Sequence, residues 1–117
     1  MNPSQLIVNV TSQDPERLKL FYQDVVGLPP EPNSGGFDAG GALFFVDGHS
    51  EITGPTKEPA RVLVSFVVED IAAEERRLVA AGVPCIRSQG KEFWGGVIST
   101  FVDPDGNYFQ AIEYQPA

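Results

Sequence analysis

Few side chains in this sequence could do chemistry unaided. His49 is the only histidine, in His49-Ser50-Glu51. An imidazole beside a carboxylate can carry a proton or bind a metal ion. In a loop, however, a lone histidine is more often simply solvated, and the adjacent Ser50 gives no Ser-His-Asp geometry. Cys85 is the only cysteine, which excludes an intramolecular disulfide and a cysteine zinc site. With no His or Lys near it, Cys85 reads as a small buried residue rather than a nucleophile. Gly35, Gly36, Gly40 and Gly41 lack the Gly-Lys-Ser/Thr ending of a phosphate loop and read as turns. What remains is a set of binding-type groups. Tyr108, Gln110 and Ile112 alternate along one β-rich run, so a phenol, an amide and a hydrocarbon share a face. Trp94, beside Gly95-Gly96, is expected on a rim loop.

The element that must position the first three is a hairpin. Val97 to Val102 and Tyr108 to Tyr114 are β-rich, and Asp103-Pro104-Asp105-Gly106-Asn107 separates them. Asp103 can accept from backbone N–H groups ahead of it, Pro104 presets φ, and Gly106 can take φ > 0. Earlier, Leu6–Thr11 predicts a strand, and Asp14-Pro15-Glu16 opens a helix over 15–25 with Leu18, Phe21, Tyr22 and Val25 on one face and Gly27 at its end. Pro29-Pro30-Glu31-Pro32 can hold at most a short edge strand, because proline cannot donate to a ladder. Short strands at 36–39 and 42–46 follow, then a Gly/Pro/Ser/Thr-rich linker. Val62–Val68 predicts a strand, Asp70 caps a helix over about 71–81 ending at Gly82, and 83–87 predicts a short strand followed by a loop over 88–95. The second helix has a weak apolar face: Ile71, Leu78 and Ala81 are in phase, while Glu74 and Glu75 occupy the turn between them.

The order of elements occurs twice. Leu6 to Asp14 overlays Val62 to Asp70 without a gap, with Asn9 on Ser65, and matching Gly40 to Gly106 puts Phe44 on Gln110. In the paired first strands, Val8 and Val10, like Val64, Phe66 and Val68, should pack under the helix. Asn9 and Ser65 should face a semi-polar concavity, the default place for a ligand. The 117 residues suit one domain, with module one at about 4–47, a linker at 48–59 and module two at about 60–115. The formal net charge of −8 argues against nucleic acid, which needs a basic face. Neither a signal peptide nor a membrane span is expected, so the cytoplasm is the expected location.

Three stretches resemble the vicinal oxygen chelate superfamily, the glyoxalase, bleomycin-resistance and extradiol-dioxygenase group. They are Asp14-Pro15-Glu16-Arg17 through Gly27-Leu28, Val68-Glu69-Asp70 through Gly82-Val83, and Trp94-Gly95 through Asp105-Gly106-Asn107. The resemblance implies an α+β fold: two tandem βαβββ modules whose curled mixed sheets enclose a cavity, in a homodimer. It also implies a divalent ion held by His, Glu or Gln on the first and last strands of each module. At those positions this chain has Ile7, Phe44, Leu63 and Gln110. Three hydrocarbons and one neutral amide cannot complete a shell of three or more N/O donors. No metal or other cofactor is therefore expected. The expected function is metal-independent binding of a small molecule, cationic or aromatic. Its lining is expected from Ile7, Asn9, Phe44, His49, Leu63, Ser65, Trp94, Tyr108 and Gln110. The rival expectation is a glyoxalase-like lyase, isomerase or dioxygenase with a metal on His49, Glu51, Gln110 and Glu113. A third is a partner-binding module.

Overall fold

The structure, a computed structural model, describes residues 1–115. The chain divides into two compact units, Met1–Gly54 and Pro55 onward, each with its own sheet and helix.

The first unit begins with β1 (Ile7–Ser12). Helix α1 (Pro15–Leu20) follows, with the Asp14 carboxylate accepting from the Arg17 N–H at its start. The helix continues as a wider π-helical turn over Phe21–Val26 and ends at Gly27, φ +84°. That backbone conformation needs glycine. Strands β2 (Phe37–Ala39) and β3 (Ala42–Gly48) complete a sheet of order β1-β3-β2, with β1 and β3 parallel. The proline-rich stretch contributes one isolated bridge, Pro30 to Phe37, where the second unit has a full strand. The core lies between helix and sheet: Leu18, Tyr22, Phe37 and Phe44 are buried, with the Tyr22 and Phe44 rings 4.9 Å apart.

The second unit contains β4 (Val64–Val67), α2 (Ile71–Ala80), β5 (Cys85–Lys91), β6 (Gly96–Val102) and β7 (Tyr108–Tyr114). Its sheet order is β4-β7-β6-β5, with β4 parallel to β7 and the other pairs antiparallel. The β6–β7 hairpin closes as its sequence predicts. One Asp103 oxygen accepts from the Asp105 and Asn107 N–H groups, the other from the Asn107 amide, and Gly106 sits at φ +85°. The linker is tied down within each unit: Gly54 N–H donates to Gln13, and Thr56 bonds both the Asn107 side chain and the Asp105 carbonyl.

Several expectations are corrected. The strand over 62–68 shortens to β4, leaving Val62 and Leu63 exposed and outside the ladder. Half of the expected loop over 88–95 is strand, because β5 runs to Lys91 with a bulge. Ala81 is exposed, and Val83 takes the buried place beside Ile71 and Leu78.

Glu75 explains the bulge. It is four residues after Ile71 and three before Leu78, so it faces the sheet. Its carboxylate accepts from Ser99 Oγ (2.8 Å), Ser88 Oγ (2.8 Å), Gln89 Nε2 (2.8 Å) and, more weakly, Cys85 Sγ (3.7 Å). A regular strand would send Ser88 and Gln89 to opposite faces. The bulge, with Gln89 at φ +34°, lets both reach the same carboxylate. Burial pushes the Glu75 carboxyl up, but the bonds from Gln89, Ser88, Ser99 and Cys85 outweigh it and hold the group below the usual value.

Candidate functional site

In the first unit, strand pairing decides what the open face carries. Ile7 pairs with Leu43, Asn9 with Phe45, and Val8 with Phe44. Paired residues point the same way. The open face therefore bears Ile7, Asn9, Leu43 and Phe45, with Ile7 51% exposed. Phe44 is on the helix side at 1% exposure, against Tyr22 and Phe37. The expectation that Phe44 lines the concavity is corrected: matching the two turns misplaces β3 by one residue, and one residue reverses a strand's face. His49 lies beyond β3, exposed. Its Nδ1 accepts the Glu51 N–H, and the Glu51 carboxylate is 4.0 Å away and open to solvent.

In the second unit, the face of the sheet away from α2 gathers Ser65, Trp94, Tyr108 and Gln110. Across it runs a polar row. Gln110 pairs with Ser65 on β4 and Thr100 on β6. Its Oε1 accepts from Ser65 Oγ at 3.0 Å and its Nε2 donates to Thr100 Oγ1 at 3.0 Å. The amide is thereby fixed in orientation. The next row is apolar: Val67, Ile112 and Ile98 stand side by side. Beyond it, Trp94 lies against Tyr114, ring centroids 5.7 Å apart, and directly over Gly96. At the opposite end Tyr108 borders an open cleft of about 410 Å³ with Glu58, Pro59, Ala60 and Arg61. Leu63 precedes β4 and is 45% exposed.

The superfamily's metal does not fit these residues. Ile7 and Leu63 have no donor atom, Phe44 is in the core, and Gln110 offers a single neutral oxygen, which accepts from Ser65. Gln110 and Glu113, proposed above as joint ligands, are an odd number of positions apart on β7 and face opposite ways. Glu113 instead accepts the Ile71 N–H at the start of α2. Among the described residues, no three His, Cys, Asp or Glu side chains are grouped so as to hold a metal ion. Among the described residues, no helix is long and apolar enough to cross a membrane.

Two further residues on this face of the sheet escape the sequence reading, the half-buried Arg87 and the buried Thr100. Thr100 is signalled by its place opposite Gln110 in the hairpin. Arg87 has no such signal, because the bulge sets its direction. Cys85 is half-buried, its thiol pushed up by burial and by the Glu75 charge.

The sequence pattern of a glyoxalase-like domain matches residues 5–112. The fold also resembles solved structures. A glyoxalase/bleomycin resistance protein/dioxygenase family enzyme from Burkholderia phytofirmans PsJN has a TM-score of 0.73 at 21% identity, over 93% of this chain and 97% of that one. TioX from Micromonospora sp. ML1 has a TM-score of 0.72 at 20% identity, over 97% and 100%. A glyoxalase/bleomycin resistance protein/dioxygenase from Nocardioides gives 0.71 at 18%, over 100% and 87%. No curated protein sequence matches. With two mixed sheets, a repeated strand–helix order and a match over nearly its whole length, the chain belongs to the glyoxalase-like domain family of the vicinal oxygen chelate superfamily.

Proposed function

We propose that this protein binds a small organic molecule without a metal, on the open face of its second sheet. The observation that carries this reading is the state of Gln110. Where relatives are expected to offer a carboxylate, the chain has a neutral amide whose oxygen and nitrogen are both held by hydroxyls. Such a group can present a fixed hydrogen-bonding edge, but it is a poor ligand for a divalent ion. The aromatic pair Trp94–Tyr114 and the apolar row beside it suit a ring-bearing ligand.

The reading extends to a homodimer in the cytoplasm. Exposed Leu6 and Ile7 at β1, and Val62, Leu63 and Val67 at β4, give apolar surface on the edge strands of both sheets. A single cysteine suits a reducing compartment.

The test is elemental analysis of protein purified without chelator, together with native mass spectrometry against aromatic compounds. We expect far less than one metal per chain and retention of at least one compound. A stoichiometric Zn, Mn, Fe or Ni content that Gln110→Ala abolishes would overturn the reading. Sedimentation checks the dimer.

A further inference from the structure

The Gln110 side chain has hydrogen-bonding capacity to spare. A primary amide carries two N–H donors and two acceptor sites on its oxygen. Thr100 Oγ1 takes one donor and Ser65 Oγ fills one acceptor site, each at 3.0 Å. The two hydroxyls stand on the neighbouring strands, one to either side of β7. They therefore occupy the lateral positions of the planar amide. The second N–H and the second lone pair remain, side by side on the edge that points away from the Gln110 stem. Turning the amide over would exchange the roles of the two hydroxyls and leave the same edge. Thr100 is buried, Gln110 half-buried and Ser65 exposed. The amide is thus anchored on its β6 side and reachable from its β4 side.

Hydrocarbon surrounds this edge. Tyr108 and Ile112 stand two residues before and after Gln110 on the same face, about 7 Å along the strand. Val67, paired with Ile112, is 61% exposed. Apolar neighbours keep water away and strengthen a hydrogen bond made among them. Charges at the borders already have partners: Arg87 pairs with Glu92 at 2.8 Å, and Arg61 with Glu58 beside Tyr108. Neither border offers an unmatched charge to an ion.

We propose that the outer edge of Gln110 recognises a neutral cyclic amide, a lactam or imide, whose adjacent N–H and C=O close a ring of two hydrogen bonds with it. A carboxylate would set an acceptor against the amide oxygen, and an amidinium would set a donor against the amide nitrogen. Either ion makes one bond instead of two and leaves a polar atom facing its like. Ser65 is a positioning residue, because its hydroxyl stops the amide from turning. The inference rests on the small-molecule reading above and narrows its ligand to one carrying a neutral donor–acceptor edge.

The probes are carbostyril, a neutral bicyclic lactam, and N-methylcarbostyril, which keeps the rings and the carbonyl but has no N–H. Each is titrated against the intact protein by equilibrium dialysis. Carbostyril is expected to bind about tenfold more tightly than its methyl derivative. In NMR spectra of isotope-labelled protein, a Gln110 side-chain N–H resonance should move on adding carbostyril and stay in place with the methyl derivative. Neither comparison needs a variant to fold. Gln110→Leu should bring carbostyril down to the affinity of the methyl derivative and leave the latter unchanged. Gln110→Glu, an acceptor only at neutral pH, should reverse the preference, so that the benzamidine cation binds more tightly than carbostyril. Ser65→Ala should narrow the ratio between lactam and methyl derivative about threefold, and Ser65→Thr should restore it. Equal wild-type affinity for the two probes, a lactam preference that survives Gln110→Leu, or no binding of carbostyril up to its solubility limit overturns the inference while the small-molecule reading stands. Stoichiometric metal lost on Gln110→Ala overturns that wider reading instead.

Discussion

Replacing Glu75 by alanine removes one acceptor from four donors at once. The donors differ in what they lose. Ser99 is fully buried and its hydroxyl donates to Glu75, so its loss resembles orphaning a buried donor, about 1–3 kcal/mol. Ser88 and Gln89 are exposed and can turn to water, which limits each to about 0.5 kcal/mol. The sum is about 2–4 kcal/mol, a large share of the roughly 5–15 kcal/mol that holds a domain folded. For a chain near this size it lowers Tm by about 10–20 °C. Urea and thermal unfolding followed by circular dichroism measure it. Glu75→Ala/Ser99→Ala should recover part of the loss, because the orphaned hydroxyl goes too. The pH dependence has a definite sign. The Glu75 carboxyl is held below its ordinary value in the folded chain, so its contribution is complete above the unfolded pKa and fades as pH falls through the folded one. Glu75→Ala should remove that part of the acid slope. A variant within about 0.5 kcal/mol of wild type, with an unchanged slope, would refute the idea that this carboxylate holds the bulge.

Phe44→Ala should cost about 3–5 kcal/mol in urea unfolding, as for a fully packed core ring, whereas Ile7→Ala and Leu63→Ala at exposed positions should stay within about 0.5–1 kcal/mol. The reverse order would restore Phe44 to the open face. Cys85 should react with iodoacetamide near pH 7.5 more slowly than a free thiol, since burial and the Glu75 charge both push it up. Mass spectrometry of the time course should show Glu75→Ala accelerating it; an unchanged rate would remove Glu75 as a cause. Gly106→Ala, at φ +85°, should cost about 1–2 kcal/mol in thermal unfolding, and no loss would show that the turn does not need this conformation.

Much of the fold is legible wherever a single residue dictates local geometry. Asp14 and Asp70 cap their helices, Gly27 and Gly82 end them, and Asp103 closes its hairpin. Side assignment is legible where alternation can be read within one strand, as for Asn9 and Gln110. It fails for Phe44, because its face was inferred by matching two turns of different length. Glu75 is misread for another reason. A carboxylate inside an apolar face looks like weakness until its donors, which come from strands 10 to 24 residues away, are in place. The same carboxylate makes strand of Ser88–Gly90, which has no β preference of its own.

Strand order carries a consequence for how each unit assembles. In both sheets the last strand made is an interior one: β3 lies between β1 and β2, and β7 between β4 and β6. A growing chain that has reached Val102 holds a completed α2 but has no partner for β4, whose ladder waits on residues such as Gln110, 45 positions after Ser65. Until those residues emerge, β4 and the flanking Val62 and Leu63 present bare amides and hydrocarbon to whatever is nearby. Assembly of this unit is set by the arrival of one late segment that closes two seams together.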